Sequence, residues 1–184
     1  MLSCFGLGEI NSSSRSVYEY LLWNTPSHLT YCGRDAEEKQ LLLDVRYRTL
    51  RIESLQKRGV ADYHPTCLDE LIHLANAHLH SGNNQVAEVL ARRAVQGYDI
   101  ALSFEQPRPF QALWFLAQVL TVVRDLDCAE AVFHKLFALS RKYWLLNSES
   151  RAALVEDYLC LQKVRGFSEQ DSGVRVEEML KRPS

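Results

Sequence analysis

The chain has 184 residues, enough for one compact domain or a short array of about four helix pairs. Its net charge of −2 and pI near 6.3 leave no basic stripe for phosphate backbones, so nucleic-acid binding is disfavoured. No apolar run approaches the roughly 18 residues that span a bilayer, and residues 1–9 lack the basic and apolar regions of a secretory signal. We therefore expect a globular protein without a membrane partner.

The first third of the chain has an irregular helical pattern. Residues 1–14 are rich in Ser and Gly and predict a loop or a truncated helix, and residues 16–24 predict a short helix that Pro26 interrupts. Residues 35–57 predict an elongated or irregular helix, with Ala36-Glu37 near its start. We interpret this region as a degenerate version of the units that follow it.

From Pro65 onward, apolar residues recur at intervals of three and four, which predicts a series of half-buried helices. Thr66 can cap the first of them, and Asp69-Glu70 can complement its dipole. Gly or Asn at a turn readily takes the left-handed conformation that ends a helix, and Pro removes a backbone donor. These signals predict helices at 65–80, 85–103, 110–123, 128–144 and 149–164, with a short closing helix at 174–181. They also predict turns near 81–84 and 124–127, breaks near 104–109 and 145–148, and a polar, mobile loop at 167–173.

The cysteines bear on the compartment. There are five, an odd number, and none forms a closely spaced pair. Scattered single cysteines are typical of buried thiols in a reducing compartment, so we expect a cytosolic or nuclear protein. We expect Cys67, Cys128 and Cys160 to fill small spaces in the core, because no His and acid arrangement accompanies them.

A spacing of 42 residues, as from Leu71 to Leu113, organises the central part of the chain. The recurring features are an apolar pair followed by Ala, a turn residue, and an Ala-Glu dipeptide that opens the next helix. The matched positions are Leu71–Ala75 with Leu113–Ala117, Gly82 with Arg124 and Gly166, Ala87-Glu88 with Ala129-Glu130, and Pro65 with Pro107. A fixed period of this size is typical of repeat proteins, whose units cannot bury their apolar faces alone.

This order of residues resembles the tetratricopeptide repeat. The pattern consists of Leu74-Ala75, Gly82, Ala87-Glu88, Arg92-Arg93-Ala94 and a closing proline. The 42-residue length and the His64-Pro65 boundary resemble the kinesin-light-chain type rather than the basic 34-residue form. The resemblance covers residues 64–166 well and 35–63 loosely, and Arg124 departs from it because a small turn residue is usual there.

The resemblance implies an all-α fold, a right-handed α-solenoid of antiparallel helix pairs with three to four repeats and degenerate ends. Small residues would let the helices cross closely, while Leu71, Leu74, Leu113, Leu116 and Phe133 fill the space between them. The small residues are Ala75, Ala87, Ala94, Ala117 and Ala129. We divide the chain into residues 1–34, an irregular segment or truncated repeat, residues 35–166, the repeat array, and residues 167–184, a loop and capping helix.

The resemblance also implies a concave groove lined by the first helix of each pair. Carried over position by position, the groove-facing residues are Asp69, Ile72, Asn76, Leu79, Gln111, Trp114, Gln118, Thr121, Ala153, Glu156 and Lys163. Family members that clamp a terminal carboxylate use Lys and Arg with Asn, and the first two units offer no such basic residue. We therefore expect Asn76, Trp114 and Gln118, with Asp69 and Gln111, to bind an extended or helical peptide. Packing of Trp114 in the core is the alternative to a role as anchor.

Candidate chemistry is sparse. His73 and His80 share a helix face but His78 lies well off it, so three ligands cannot converge, and we expect no metal site. We also predict no catalytic residues and no cofactor, since no nucleophile–base pair or phosphate loop is present.

Two functions remain open. The first is a scaffold or adaptor that binds a protein or peptide. The alternative is a repeat-tail fragment of a larger signalling or nucleotide-binding receptor-like protein with a regulatory role. An enzyme is a distant third. The sequence indicates no oligomeric state and does not identify the partner.

Overall fold

The computed structural model describes residues 12–102, 106–143 and 148–181, and within these ranges it contains nine α-helices and no strand. In chain order the helices are α1 (Ser12–Tyr31), α2 (Asp35–Leu42), α3 (Val45–Lys57), α4 (Pro65–His80), α5 (Asn84–Ala101), α6 (Pro107–Val123), α7 (Leu126–Tyr143), α8 (Ser148–Val164) and α9 (Glu169–Lys181). None of the described helices is long and apolar enough to cross a membrane.

The helices stack as successive pairs, α4 with α5, α6 with α7 and α8 with α9. The first helix of each pair also contacts the first helix of the next pair, since α4 contacts α6 and α6 contacts α8. Among the second helices of the pairs, α7 contacts α9. Helix α3 occupies the place of a preceding second helix, packed against α4. The predicted all-α solenoid is therefore confirmed.

The core has small residues where helices cross and large ones between them, as the repeat pattern predicts. The five alanines Ala75, Ala87, Ala94, Ala117 and Ala129 are each completely buried. The larger residues Leu71, Leu74, Leu113, Leu116 and Phe133 are buried as well. Gly97 marks a further close crossing, because a Cβ there would lie 2.4 Å from the side chain of Leu68.

The turn after each first helix repeats with the 42-residue period. Gly82, Arg124 and Gly166 all have positive φ, at 78°, 63° and 88°. The backbone N–H of the next residue then donates to a carbonyl five residues earlier: Asn83 to His78 at 2.9 Å, Asp125 to Leu120 at 3.0 Å and Phe167 to Gln162 at 3.1 Å. This is the Schellman closure of a helix C-terminus, which needs a left-handed residue just beyond the helix.

Arg124 is the one described residue other than glycine that takes this left-handed conformation. A side chain there costs about 1 kcal/mol or more through the clash of its Cβ with the backbone. We therefore expect Arg124→Gly to stabilise the protein by about 0.5–1 kcal/mol, although glycine also makes the unfolded chain more flexible. Urea denaturation measures this effect, with Gly82→Ala as the matched control that should destabilise by a similar amount. A loss of stability in Arg124→Gly would show that the arginine side chain supports the turn.

The N-terminal helix is longer than predicted because Pro26 does not interrupt it. Proline has no N–H, so the carbonyl four residues earlier, on Leu22, loses its usual helical partner. The hydroxyl of Tyr47 on α3 donates to that carbonyl at 2.7 Å. Helix α1 therefore continues through Pro26 to Tyr31, and the freed acceptor ties it to α3.

The elongated or irregular helix predicted for residues 35–57 is divided into two helices. The chain breaks at Leu43-Asp44 into α2 and α3. Asp44 is an N-cap, since its carboxylate accepts a hydrogen bond from the backbone N–H of Tyr47 at 2.9 Å. Ala36 is exposed, so the Ala-Glu echo at its position has no packing role.

Other helix limits differ at capping positions. Helix α4 is capped by the His64 side chain, which accepts from Thr66 N–H at 3.2 Å, so Thr66 is not the cap. Helix α6 begins at Pro107 rather than 110, because first-turn N–H groups have no helical partner and proline loses nothing there. Helix α7 begins at Leu126, so the turn is shorter than the predicted 124–127.

The C-terminal loop predicted for residues 167–173 is mostly helix. Helix α9 begins at Glu169 rather than 174. The Ser168 hydroxyl accepts from the backbone N–H of Asp171 at 3.2 Å, which is the bond of an N-cap. The predicted ends of α5 at 103 and of α7 at 144, and the break before 148, fall partly on residues outside the described ranges.

The cysteine prediction holds at one position. Cys67 is buried, but Cys128 and Cys160 are exposed, as is Cys32. Cys128 and Cys160 lie on helix faces turned away from the core, so they do not fill small spaces in it as predicted. All four are free thiols.

A buried ionic cluster joins α1, α3 and α4. The Glu70 carboxylate is 2.8 Å from Nη2 of Arg51 and 3.3 Å from Nη1 of Arg48, and the Arg51 guanidinium lies 4.1 Å from the ring centroid of Trp23. Arg48 and Glu70 are only 6% and 4% exposed. Burial lowers the pKa of Arg48, and the nearby Glu70 charge opposes that shift. The Glu70 carboxylate therefore pairs with these two arginines and does not complement the dipole of α4 as predicted.

Candidate partner-binding groove

The first helices α4, α6 and α8 lie side by side, and we call their shared outward surface the groove face. Every residue assigned to it from the sequence is solvent-accessible. Half-buried members are Asp69, Ile72, Asn76, Leu79, Trp114 and Thr121, and exposed members are Gln111, Gln118, Ala153, Glu156 and Lys163. An accessible row of polar and apolar side chains across three repeats is therefore present on these helices.

At the junction of α6 and α8, the side chains of Trp114 and Gln118 meet on one carboxylate. Trp114 Nε1 donates to Asp157 Oδ2 at 2.6 Å, and Gln118 Nε2 donates to the same oxygen at 2.8 Å. The two donors stand one helical turn apart on α6, which places both opposite a single residue of α8. Two of the five predicted site residues are thus brought together by Asp157.

Asp157 is not among the groove-facing residues predicted from the sequence. It follows Phe115 by 42 positions, so the period aligns it with a half-buried aromatic residue rather than with a groove position. The signal that could have identified it is the change from Phe to Asp at a place that faces the preceding first helix. A carboxylate there needs donors, and Trp114 and Gln118 supply them.

The Trp114 indole is fixed on two sides and remains part-exposed. Its ring meets Phe110 at 77° with centroids 6.4 Å apart, an edge-to-face contact. Its nitrogen is held by Asp157, and its body packs against the main core cluster. Trp114 therefore packs against the core and is also accessible on the groove face.

The other predicted site residues do not join this cluster. Asp69 accepts a hydrogen bond from the Tyr98 hydroxyl and lies 3.3 Å from Nη1 of Arg108, so its carboxylate is already engaged. Burial, followed by the hydrogen bond to Asp69, raises the pKa of Tyr98. Asn76 and Gln111 have no side-chain hydrogen bond to any described residue, which leaves their amides available on the groove face.

The histidines do not converge. His73 and His80 are exposed, and His78 is half-buried. The ring nitrogen Nδ1 of His80 is 2.9 Å from the backbone carbonyl of Asn76, one turn back on its own helix. Across residues 12–102, 106–143 and 148–181, no group of three His, Cys, Asp or Glu side chains could hold a metal ion.

Two surface pockets lie away from the groove face. One is between the α3–α4 loop and α5, and includes Tyr63 and Arg93. The other includes Trp23 and His64, near the start of α4. Neither is lined by α6 or α8.

No protein-family model matches the chain, and no curated protein matches it. Solved structures do match, and two of them are as follows. One is a protein from Podosopora anserina described as a kinesin light chain with nearly identical TPR-like repeats, which covers 94% of this chain and 76% of its own at 19% identity and a TM-score of 0.63. The other has the same protein description, the same identity and coverage, and a TM-score of 0.62.

The fold is TPR-like. The predicted resemblance to the kinesin-light-chain type of repeat is therefore confirmed at the level of architecture.

Proposed function

We propose that this protein is a non-catalytic interaction scaffold or adaptor that binds an extended or helical peptide along the groove face. The observation that carries the proposal is the centre formed by Trp114, Gln118 and Asp157. It spans two repeats, holds an indole in a fixed orientation and remains accessible to solvent. Part-buried aromatic residues with ordered polar neighbours are typical of interface hot spots.

The neighbouring groove residues suit a peptide backbone. Asn76 and Gln111 present amides without described partners, and each amide offers both donors and an acceptor. Such groups can form paired hydrogen bonds with the N–H and C=O of an extended chain. The exposed free thiols at Cys32, Cys128 and Cys160 suit a reducing compartment, so we place the protein in the cytosol or nucleus.

The test is a peptide-display selection on the purified full chain, followed by affinity measurements on groove variants. We expect Trp114→Ala to weaken binding of the selected peptide by about 2 kcal/mol or more, because it removes the aromatic anchor. Gln118→Ala should also weaken binding, with little change in thermal stability because its side chain is exposed.

Two controls separate binding from folding. Leu113→Ala, at a fully packed neighbour on α6, should cost about 2–5 kcal/mol of stability. Val89→Ala, on the exposed face of the second helix α5, should change neither stability nor affinity. A selected peptide that binds Trp114→Ala and Gln118→Ala as well as wild type would overturn the proposal.

A further inference from the structure

The carboxylate of Asp157 is charged, half-buried and held only by neutral donors. Its two hydrogen bonds from described residues both reach Oδ2, from an indole and an amide, so Oδ1 keeps its acceptor capacity. No Lys or Arg among the described residues lies within salt-bridge distance of Asp157. A partly desolvated carboxylate gains strongly from a cation placed against it.

The basic residues of α8 do not supply that cation. Arg151 and Lys163 are each six residues from Asp157, which places them about 120° round the helix on either side. Its immediate neighbour Glu156 is exposed on the groove face and adds a second negative charge. By contrast, Asp69 at the other end of the groove face is neutralised by Arg108.

The negative charge is specific to one junction. The places equivalent by the 42-residue period at the α4–α6 junction hold uncharged residues throughout: Ile72 for Trp114, Asn76 for Gln118 and Phe115 for Asp157. Of these two junctions, the α6–α8 junction alone combines an indole, an amide and a carboxylate. The repeat scaffold does not require this combination, since the neighbouring repeat packs without it.

We propose that the α6–α8 junction accepts a basic side chain, arginine in preference to lysine, from the peptide bound on the groove face. This inference rests on the proposed function and names the class of ligand. Asp157 Oδ1 and the Gln118 amide oxygen are acceptors beside the Trp114 indole, since Trp114 and Gln118 donate to the same Asp157 oxygen. A guanidinium presents forked donors and stacks on an indole, so it suits the acceptors and the indole together.

The decisive variant is Asp157→Asn. An amide oxygen can replace Oδ2 as the acceptor for Trp114 and Gln118, so both hydrogen bonds survive and only the charge is lost. Asp99→Asn is the matched control, because it makes the same charge change on an exposed position of the second helix α5. Ala153→Trp, at an exposed position one turn from Asp157, serves as a groove block that leaves the carboxylate intact.

The probe is a set of capped random nonapeptide pools, each with one position fixed as Arg, Lys, Glu or Ala, applied to the immobilised full chain. We expect the Arg pool to be retained most strongly, followed by Lys. Asp157→Asn should reduce retention of the Arg pool about tenfold, whereas Asp99→Asn should not. Retention should fall with rising salt, as expected for a charge pair.

The outcomes distinguish the two proposals. If no pool is retained by wild type, or if Ala153→Trp retains the pools unchanged, binding on the groove face fails and this inference fails with it. If Ala153→Trp abolishes retention but Arg is not preferred, or Asp157→Asn retains Arg fully, groove binding stands and the basic specificity is wrong. Preference for the Glu pool would contradict the specificity outright. Thermal melts of all variants confirm that each is folded.

Discussion

Ala87→Trp is expected to destabilise the protein by more than about 3 kcal/mol. Ala87 is completely buried where α4 and α5 cross, and the interior is too densely packed to take an indole without moving a helix. Its period equivalent Ala129, also completely buried, should respond in the same way. Chemical denaturation followed by circular dichroism measures both.

Ala131 provides the control for this substitution. It lies two residues after Ala129 on the same helix but is exposed, so Ala131→Trp should change stability by less than about 0.5 kcal/mol. If Ala87→Trp melts like wild type, the helix crossing at this position is placed wrongly. If Ala131→Trp destabilises the protein equally, the loss of stability comes from the added indole itself and not from the helix crossing.

Glu70→Leu is expected to cost about 3–5 kcal/mol, because it leaves the buried Arg48 without its counter-charge. Arg51 is less affected, since it keeps its place over the Trp23 ring. Adding Arg48→Met to Glu70→Leu should recover much of the loss, because an apolar pair of similar size needs no compensation.

Glu37→Leu tests whether the loss comes from burial. Glu37 pairs with Arg34 at the surface, where its side chain is 51% exposed, so removing it should cost less than about 1 kcal/mol. Urea denaturation measures the loss of stability in both Glu70→Leu and Glu37→Leu. A loss of under about 1 kcal/mol in Glu70→Leu would mean that water reaches Arg48 and that the cluster does not fasten α3 to α4.

The repeated core could be predicted because its physics is local and periodic. Small residues recur at each helix crossing, and Gly82 and Gly166 end first helices in the conformation that glycine favours. Arg124 takes the same left-handed conformation although it is not glycine, so its residue type alone did not indicate a turn. The 42-residue period still predicted a turn there, because Gly82 and Gly166 mark the same place in the neighbouring repeats.

The N-terminal third escaped prediction because its determinants are tertiary. Pro26 is a helix breaker by local rules, yet Tyr47 from another helix satisfies the carbonyl it frees. Glu70 likewise reads as an ordinary acid near a helix start, and only the fold brings Arg48 and Arg51 around it. None of these three partners is identifiable from spacing along the chain.

The candidate site was predicted in part. The period placed Trp114 and Gln118 on a first helix with outward side chains, because helical spacing fixes which residues share a face. It did not identify Asp157, whose contact with them depends on how far α8 approaches α6. The charge at a junction between repeats depends on side chains from two helices. The sequence pattern of one helix does not show which side chains of the next helix will meet it.

The most direct test of the groove as the binding surface uses the tryptophan indole signals in a ¹H–¹⁵N NMR spectrum. The chain has three tryptophans, and Trp114→Phe assigns the signal of interest. On adding the peptide selected against the full chain, we expect the Trp114 indole signal and the amides of α4, α6 and α8 to shift, while the Trp23 indole stays unchanged. Shifts confined to the exposed face of α5, at Val86, Val89 and Ile100, would contradict the account.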